Sequence, residues 1–338
     1  MSLNHEFERR IGVLEDERTV IPVIDMHLHF VDFLQNTDGF EPLLSSMEKA
    51  NVSKNVVFGL PVKKKWDYFD PLKPTYYLGD NSKCYYFSAS DEIVAQEYLK
   101  LTTEQQKKFA PTLCAFNPTD RCAIDYVTDM FEKYPFWKGI GEVLLRHDDL
   151  TNLTLEETAR ANHPAMDPIY EFCAGKKIPV CLHQNSTSIG IHDKYEYLHE
   201  ISESIEKHPD TTFIWAHCGI SRRVIHKNYH NMVNGMLNMY PNLYVDLSWV
   251  VYDDVICDAG KKSNEIFIPK QYWIDEVILE YPDRIMIGSD LCGHFDLLGK
   301  VMARYNGLFE KIPKNVGQMI AFKNAEKLFF NPDSSLVE

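Results

Sequence analysis

Short apolar runs alternate with longer amphipathic segments along most of the chain. Eight runs are rich in Val, Ile, Leu or aromatic residues and are bounded by turn-forming residues, which predicts β-strands. They are IPVIDMHLHF (21–30), NVVFGLP (55–61), APTLCAFNP (110–118), WKGIGEVLLR (137–146), IPVCLHQNS (178–186), TTFIWAHCG (211–219), NLYVDLSWV (242–250) and RIMIGSDLCG (284–293). Such nearly continuous apolar strands are typical of a parallel sheet that is covered on both faces.

The segments between these runs predict helices. The clearest are FEPLLSSMEKAN (40–51), CAIDYVTDMFEKYP (122–135), MDPIYEFCAGKK (166–177), YEYLHEISESIEKHPD (195–210), YHNMVNGMLNMYP (229–241) and QYWIDEVILEYPD (271–283). Several end in Pro or Gly just before the next strand, which is a helix stop signal. The repeated strand–helix alternation predicts an α/β fold of the (β/α)₈ TIM-barrel type, with residues 1–338 as a single domain.

Two stretches interrupt this alternation. Residues 61–90 are rich in Pro and Tyr and follow the second predicted strand. We interpret them as an insertion loop over the mouth of the barrel. Residues 148–163, after the fourth strand, are also predicted to be irregular.

Composition narrows the class of protein. The 338 residues are 45% hydrophobic, enough for a large core, and the formal net charge is −14. That charge argues against nucleic acid and against an anionic membrane surface as partners. No run approaches the roughly 20 apolar residues of a membrane helix, and the first residues lack the apolar core of a signal peptide. Eight cysteines without a CxxC pair indicate reduced thiols and predict a cytoplasmic protein.

The first predicted strand carries two histidines, His27 and His29, separated by one residue. Since side chains on a strand alternate between faces, both imidazoles project to the same side, with Asp25 one step deeper. Two adjacent imidazoles suggest a metal site. The alternative is a pair of buried histidines that bind no metal and whose hydrogen bonds are satisfied within the core. Asp25 either orients a ligand or caps the barrel floor.

Further candidate ligands recur at the ends of other predicted strands, where barrel enzymes place their active sites. They are Glu142 on strand four, His183 on strand five, His217 on strand six and Asp290 on strand eight. Glu142 and His183 are 41 residues apart, His183 and His217 are 34 apart, and His217 and Asp290 are 73 apart. Because one barrel unit spans roughly 31 residues, these intervals correspond to one, one and two units. The candidates therefore share one height in the barrel, which favours metal ligation over scattered histidines.

Three imidazoles and a carboxylate suit Zn²⁺, which keeps an open position in catalytic sites. Such a metal lowers the pKa of its water from 15.7 toward about 7 and polarises a carbonyl. A neighbouring carboxylate or imidazole can then move the proton. The residues thus predict a metal-dependent enzyme.

The motifs DMHLH, CLHQN, WAHCG, IGSDLCG and NAEKLF resemble those of the amidohydrolase superfamily, within the branch related to aminocarboxymuconate-semialdehyde decarboxylase. The resemblance extends from Ile21 to Phe330. It implies that His27, His29, His183 and Asp290 bind the metal. It also implies that His217 lies over the metal-bound water or the substrate.

One departure from the superfamily pattern concerns the number of metals. Binuclear members place a carboxylated lysine on strand four, where this chain has Glu142, with Lys138 at the start of the strand. We therefore expect one Zn²⁺ per chain, with a second metal or another divalent ion as the alternative. Glu142 either ligates a second metal or tunes the first.

The leading functional prediction is hydrolysis of an amide, lactone or ester-like carbon of a small molecule by a metal-activated water. Asp290 would be both ligand and general base, and His217 would stabilise an oxyanion or shuttle a proton. The alternative suggested by the branch is non-oxidative decarboxylation of an unsaturated or aromatic carboxylic acid. A third hypothesis is a barrel that binds a metal or ligand without catalysis. Relatives in the branch often form dimers, so a homodimer is expected.

Three residues near the predicted strand ends are candidates for substrate contacts. Arg146 follows strand four and could bind a carboxylate, since a guanidinium matches a carboxylate in two places; a surface ion pair with Asp148 or Asp149 is the alternative. Trp249 ends strand seven and would wall the pocket unless it packs in the core. His294 lies four residues past Asp290.

Overall fold

The computed structural model describes residues 17–65, 83–151, 154, 157–224, 226–257 and 267–331. Its strands are short and mostly buried along their whole length. They are β1 (Val23–His29), β2 (Val52–Phe58), β3 (Val62–Lys64), β4 (Cys84–Tyr86), β5 (Phe109–Thr112), β6 (Ile140–Leu144), β7 (Val180–His183), β8 (Phe213–Trp215), β9 (Leu243–Asp246), β10 (Ile285–Met286) and β11 (Leu291–Cys292).

The parallel strands lie in the order β11–β1–β2–β5 and, in a second run, β6–β7–β8–β9–β10. The two runs meet at both ends. Beyond β5, Leu113 pairs in parallel with Ile140 of β6. β10 and β11 are the two halves of the eighth predicted strand, and they pair with β9 and β1, respectively. The eight predicted strands therefore close into a ring, and the TIM-barrel prediction is confirmed.

Helices cover the outside of this ring. They are α1 (Phe40–Ala50), α2 (Ala89–Tyr98), α3 (Thr103–Gln106), α4 (Ala123–Lys133), α5 (Asp167–Lys176), α6 (Leu198–Lys207), α7 (Tyr229–Met239), α8 (Gln271–Trp273), α9 (Leu298–Ala303), α10 (Asn306–Lys311) and α11 (Lys314–Gln318). π-Helical turns span Tyr252–Ile256, Ile274–Ile278, Met319–Lys323 and Glu326–Phe330, and 3₁₀ turns span Ala216–Gly219 and Phe295–Leu297. All six predicted helices are present.

The helices bury the apolar stripe that their sequences predict. In α4, for example, Ala123, Val127 and Met130 are buried and recur at the three- to four-residue spacing of one helix face. Among the described residues, no helix is long and apolar enough to cross a bilayer.

A separate apolar cluster occupies the interior of the ring. It includes Met26 of β1, Phe58 of β2, Ile214 of β8 and Met286 of β10, with Phe329 from the last helical turn. Because strands from all around the ring contribute to it, this cluster fills the barrel. The ring of Phe58 contacts the imidazoles of His27 and His29 edge-on, at centroid distances of 4.9 and 4.8 Å. The filled barrel is thus the floor on which the polar strand ends lie.

The prediction of a loop over residues 61–90 is wrong at both ends. β3 and β4 form an antiparallel hairpin, with Val62 opposite Tyr86 and Lys64 opposite Cys84. α2, which was not predicted, begins at Ala89. The middle of the insertion, 66–82, lies outside the described residues. The Tyr86 hydroxyl donates a hydrogen bond to the carbonyl of Leu144 (3.3 Å), so the hairpin lies beside the carboxyl end of β6.

The second stretch predicted to be irregular, 148–163, contains no α-helix and no strand in its described part. All eight cysteines are free in the structure, which agrees with the expectation of unpaired thiols.

Candidate metal centre

The candidate ligands from five strands converge at the carboxyl end of the barrel. β1 supplies His27 and His29, β6 supplies Glu142, and His183 is the last residue of β7. His217 follows β8 directly, and Asp290 lies between β10 and β11. All are buried except Asp290, whose side chain is 11% exposed. Their contacts bring these residues together at the carboxyl ends of the strands.

The Glu142 carboxylate lies at the middle of the group. Its Oε1 is 3.0 Å from Nδ1 of His183, 3.3 Å from Nε2 of His217 and 3.6 Å from Nε2 of His27. Its Oε2 is 3.3 Å from Nε2 of His29. Burial opposes ionisation of Glu142, but the imidazoles of His27 and His183 outweigh it and hold the carboxyl pKa well below its usual range. One carboxylate therefore contacts all four histidines.

Asp290 contacts the histidine pair from the other side. Its Oδ1 lies 3.3 Å from Nε2 of His27 and 3.4 Å from Nε2 of His29. Burial opposes its ionisation, yet the facing imidazoles of His27 and His29 lower the Asp290 pKa below its usual value. Burial likewise opposes protonation of His29, but Asp290 and Glu142 raise the His29 pKa to about 9. The group thus attracts positive charge strongly.

The outer nitrogens of the β1 histidines are held by other groups. Nδ1 of His29 lies 2.8 Å from the carbonyl of Gly59, to which it can only donate. Nδ1 of His27 lies 3.2 Å from Oδ2 of Asp246. Such contacts hold the Nδ1 proton on the outer side of each ring, so that Nε2 is the nitrogen that would bind a metal.

Two buried nitrogens of the group form no hydrogen bond within the described part of the chain. They are Nε2 of His27 and Nε2 of His183. A buried ring nitrogen without a partner is costly, and a cation would satisfy both. The surrounding donors are imidazole nitrogens and carboxylate oxygens, which suit Zn²⁺ and related divalent ions. The residues present therefore fit a metal.

Backbone geometry also marks the site. His217 and Asp290 have φ of 55°, and Trp249 has φ of 67°, in the left-handed region that residues with side chains rarely adopt. Such conformations concentrate at functional sites, where the surrounding structure enforces them.

Two glycines let backbone elements approach the ligands. A Cβ on Gly288 would lie 2.5 Å from Cβ of His27, and a Cβ on Gly141 would lie 2.3 Å from the carbonyl oxygen of Cys181. Gly141 also has φ of 120°. Since neither position has room for a side chain, both glycines are needed to place His27 and Glu142.

Sequence reasoning missed Asp246, which ends β9. Besides contacting His27, its Oδ1 accepts hydrogen bonds from the backbone N–H of His217 (3.3 Å) and of Ser248 (2.8 Å). The hydroxyl of Ser248 donates to Asp246 at short range and lies 2.8 Å from Nδ1 of His217. Asp246 comes one barrel unit after His217, so the same spacing argument could have found it.

His147 was also missed, and no sequence signal marks it. Its Nδ1 accepts the backbone N–H groups of Asp149 and Leu150, at 3.1 and 3.0 Å. Its ring stacks on His183 with centroids 4.5 Å apart. Burial, with the nearby His183, holds the His147 pKa well below its usual value. His147 is therefore a neutral ring beside a candidate ligand.

Of the three predicted substrate contacts, Trp249 lies closest to the histidines. Its ring centroid is 5.0 Å from that of His217 and 5.8 Å from that of His183. His294 is half-buried, and its imidazole has no hydrogen bond or ion pair to any residue in the described part of the chain. The structure does not place His294 against the ligand group.

Arg146 is neither free nor paired with Asp148 or Asp149. Its Nε and Nη2 both donate to the carboxylate of Glu200, with shortest distances of 2.9 and 2.6 Å. The alternative prediction of a local ion pair is wrong, because Asp149 pairs with Arg222 and Arg223 instead.

Asp25 accepts hydrogen bonds from Ser289 and Asn55. It therefore braces β1 from below and contacts no ligand side chain in the described structure.

Comparison with known proteins agrees with this geometry. Residues 138–330 match the model of the family Amidohydro_2, described as amidohydrolase. No curated protein matches the chain.

Several solved structures resemble the chain over nearly its whole length. An uncharacterised TIM-barrel protein from Bordetella bronchiseptica is 15% identical with a TM-score of 0.56, covering 91% of this chain and 98% of its own. Dihydroorotase from Campylobacter jejuni is 17% identical with a TM-score of 0.52, covering 94% and 85%. The 5-carboxyvanillate decarboxylase from Novosphingobium aromaticivorans, solved with manganese and a nitrobenzoic acid, is 11% identical with a TM-score of 0.53, covering 94% and 99%. At these identities the likeness shows the fold, which is the predicted barrel.

Proposed function

The chain belongs to the amidohydrolase family, and from that premise we propose that it is a metal-dependent hydrolase acting on an amide, lactone or ester-like carbon of a small molecule. The observation that carries the proposal is the buried cluster of four imidazoles with Glu142 and Asp290, in which Nε2 of His27 and Nε2 of His183 form no hydrogen bond to a described residue. A barrel kept only for its shape would not retain these buried groups without partners.

His27, His29, His183 and Asp290 are the residues that would hold the metal. We propose Zn²⁺, one ion per chain, because the set is dominated by imidazole nitrogen. When bound there, a divalent ion supplies Lewis acidity and a water whose pKa is lowered toward about 7. Glu142 touches every histidine of the group, and we propose that it tunes their charge rather than holding a second ion.

Asp290 is the proposed general base. Its Oδ1 lies within 3.4 Å of both β1 imidazoles, and its side chain is the most exposed of the group, so it can also face the substrate. A carboxylate with a lowered pKa is ionised near neutral pH and can accept a proton from an attacking nucleophile.

His217 is the proposed proton carrier. Ser248 donates its hydroxyl proton to Asp246, so its oxygen is free to accept the N–H of Nδ1 from His217. In the neutral ring Nε2 of His217 is then the acceptor nitrogen, and it faces the centre of the group, 3.3 Å from Oε1 of Glu142. This tautomer favours shuttling a proton to the leaving group over donating a hydrogen bond to an oxyanion.

Decarboxylation of an unsaturated or aromatic carboxylic acid is the second candidate. It is favoured by the guanidinium of Arg146, which lines a cavity beside His183. Assays that separate released carbon dioxide from a hydrolysed product distinguish the two reactions. If the carboxylate that Arg146 binds is the group released, Arg146→Ala should abolish decarboxylation. We also retain the homodimer as a proposal, to be measured by analytical ultracentrifugation.

The first experiment is the metal content of protein purified without added metal or chelator, measured by plasma mass spectrometry. We expect about one zinc per chain, and none in a His27→Ala, His29→Ala double variant. His199→Ala, an exposed histidine on α6, is the matched control and should keep its metal. Two ions per chain would make Glu142 a ligand. Absence of metal even after zinc is offered would overturn the catalytic proposal and favour a binding barrel.

A further inference from the structure

A cavity of about 250 Å³ opens beside the candidate ligands. Its lining includes Arg146, His147, Asp148, Ser188 and Tyr197. The His147 ring lines the cavity and stacks on His183, so one imidazole separates the cavity from a proposed ligand. A substrate that spans this ring would reach both the metal and the cavity.

The guanidinium of Arg146 is held rigidly at the cavity wall. Glu200 grips Nε and Nη2, and the Tyr197 ring lies 4.1 Å below the guanidinium carbon. Glu200 is itself buried and receives a further hydrogen bond from the Gln184 side chain (2.8 Å). The remaining nitrogen, Nη1, has no hydrogen bond to any described residue. The guanidinium of Arg146 is thus held in place, and the N–H groups of its Nη1 are available to donate hydrogen bonds to a ligand.

Other donors line the same cavity. The Ser188 oxygen accepts the backbone N–H of Gly190 (3.2 Å), and its hydroxyl proton has no acceptor within the described ranges. Tyr197 also lines the cavity. The single carboxylate of the lining, Asp148, is bonded to the hydroxyl of Ser221. The lining therefore offers the Arg146 guanidinium and the Ser188 hydroxyl as hydrogen-bond donors.

We propose that this cavity binds a carboxylate of the substrate, at a distance from the reacting carbon, through Nη1 of Arg146. The inference rests on the proposed function and adds the substrate class, an anionic acyl compound. A guanidinium donates charge-assisted hydrogen bonds to carboxylates, and fixing it in advance reduces the ordering cost of binding. Since Glu200 and Asp148 already lie nearby, a singly charged carboxylate suits the cavity better than a doubly charged phosphate.

The test uses binding rather than turnover. Malonate, succinate, glutarate and adipate, each beside its monomethyl ester, are titrated by calorimetry into the zinc-loaded protein. One carboxylate can reach the metal, and the second can reach Arg146 only in the diacid. We expect at least one diacid to bind about tenfold tighter than its ester, since a charged hydrogen bond contributes roughly 1.5–3 kcal/mol. Analogues of the same length in which a phosphonate group replaces the second carboxylate should bind less tightly than the diacid.

Arg146→Met should abolish the preference for the diacid and leave the affinity for the ester unchanged. Arg160→Met is the matched control, because Arg160 follows the same strand and, among the described residues, pairs with the exposed Glu157 alone. It should keep the preference. If the Met variant does not fold, Arg146→Lys should reduce the preference for the diacid at least threefold. This variant keeps the positive charge but replaces the planar guanidinium with a single ammonium group.

The outcomes separate this inference from the proposed reaction. Equal binding of every diacid and its ester, no binding at all, or a preference that survives in Arg146→Met would overturn the carboxylate subsite. A preference that depends on Arg146, in a protein that hydrolyses none of the amides and lactones offered, would support the subsite and contradict the hydrolase.

Discussion

Nδ1 of His27 lies 3.2 Å from Oδ2 of Asp246, a residue 219 positions later in the chain. The other oxygen of Asp246 accepts the backbone N–H of His217. One buried carboxylate thus orients a proposed ligand with one oxygen and positions the proposed proton carrier with the other. This arrangement predicts that Asp246 controls both metal affinity and proton transfer without touching either the metal or the substrate.

Asp246→Asn should weaken zinc binding by about 10- to 100-fold, because His27 loses the acceptor that fixes its tautomer. Competition with a chromophoric chelator measures the affinity. Asp210→Asn, an exposed aspartate before β8, is the control and should bind zinc like the parent protein. An affinity within twofold of the parent in Asp246→Asn would show that His27 does not depend on this contact.

Ser248→Ala should separate the two roles of Asp246. The substitution removes the hydroxyl that links His217 to Asp246, yet leaves the contact between Asp246 and His27 intact. We expect zinc content to stay at the parent level while kcat falls about tenfold or more, with little change in KM. Steady-state kinetics with a substrate found by screening, beside metal analysis, provide both values. Loss of zinc from Ser248→Ala would mean that its role is structural.

Gly288→Ala tests the close approach at β1. The added Cβ would lie 2.5 Å from Cβ of His27, so the strand must shift. We expect the free energy of unfolding to fall by about 1–3 kcal/mol and zinc affinity to fall with it. The matched control is Gly235→Ala in α7, where nothing lies within 4 Å of the new methyl group. That variant should gain about 0.5–1 kcal/mol, and denaturant titration distinguishes the two signs.

Asp91 gives a pH dependence that is independent of the metal centre. Burial raises its pKa from 3.8 to about 7, although it accepts the backbone N–H groups of Cys114 and Ala115. A carboxyl with a raised pKa stabilises the fold while protonated, and this contribution is lost as the pH rises from about 4 through about 7.

Relative to Asp91→Asn, the metal-free parent protein should therefore lose stability over that pH range, by a few kcal/mol at most, and level off above it. Denaturant titrations of both proteins at half-unit steps of pH measure the difference. A stability difference that stays constant from pH 4 to pH 8 would contradict the raised pKa.

Sequence spacing predicted the parts of the centre that repeat with the barrel. His183 ends a strand, His217 and Asp290 lie just beyond one, and the near-constant length of a barrel unit brings them to one level. Asp246 obeys the same rule, and it was passed over because a lone aspartate at the end of a strand has many structural uses. The pattern was informative where ligands recur in register.

Other features depend on contacts that spacing cannot express. Arg146 pairs with Glu200, 54 residues away, whereas its neighbours along the chain suggested Asp148 or Asp149. His147 acquires its place because its own nitrogen caps the turn that follows it. The hairpin of β3 and β4 was missed because its strands have three residues each, too few for an alternating pattern to be evident.

The division of the eighth strand has a consequence for biosynthesis. β10 completes one side of the ring and β11 pairs with β1, so Asp290 lies where the first and last parts of the barrel join. A ribosome releases His27 and His29 early and Asp290 only when most of the barrel has been translated. The complete set of proposed ligands does not exist on the nascent chain, and an ion that needs all of them can be loaded only after synthesis is nearly finished.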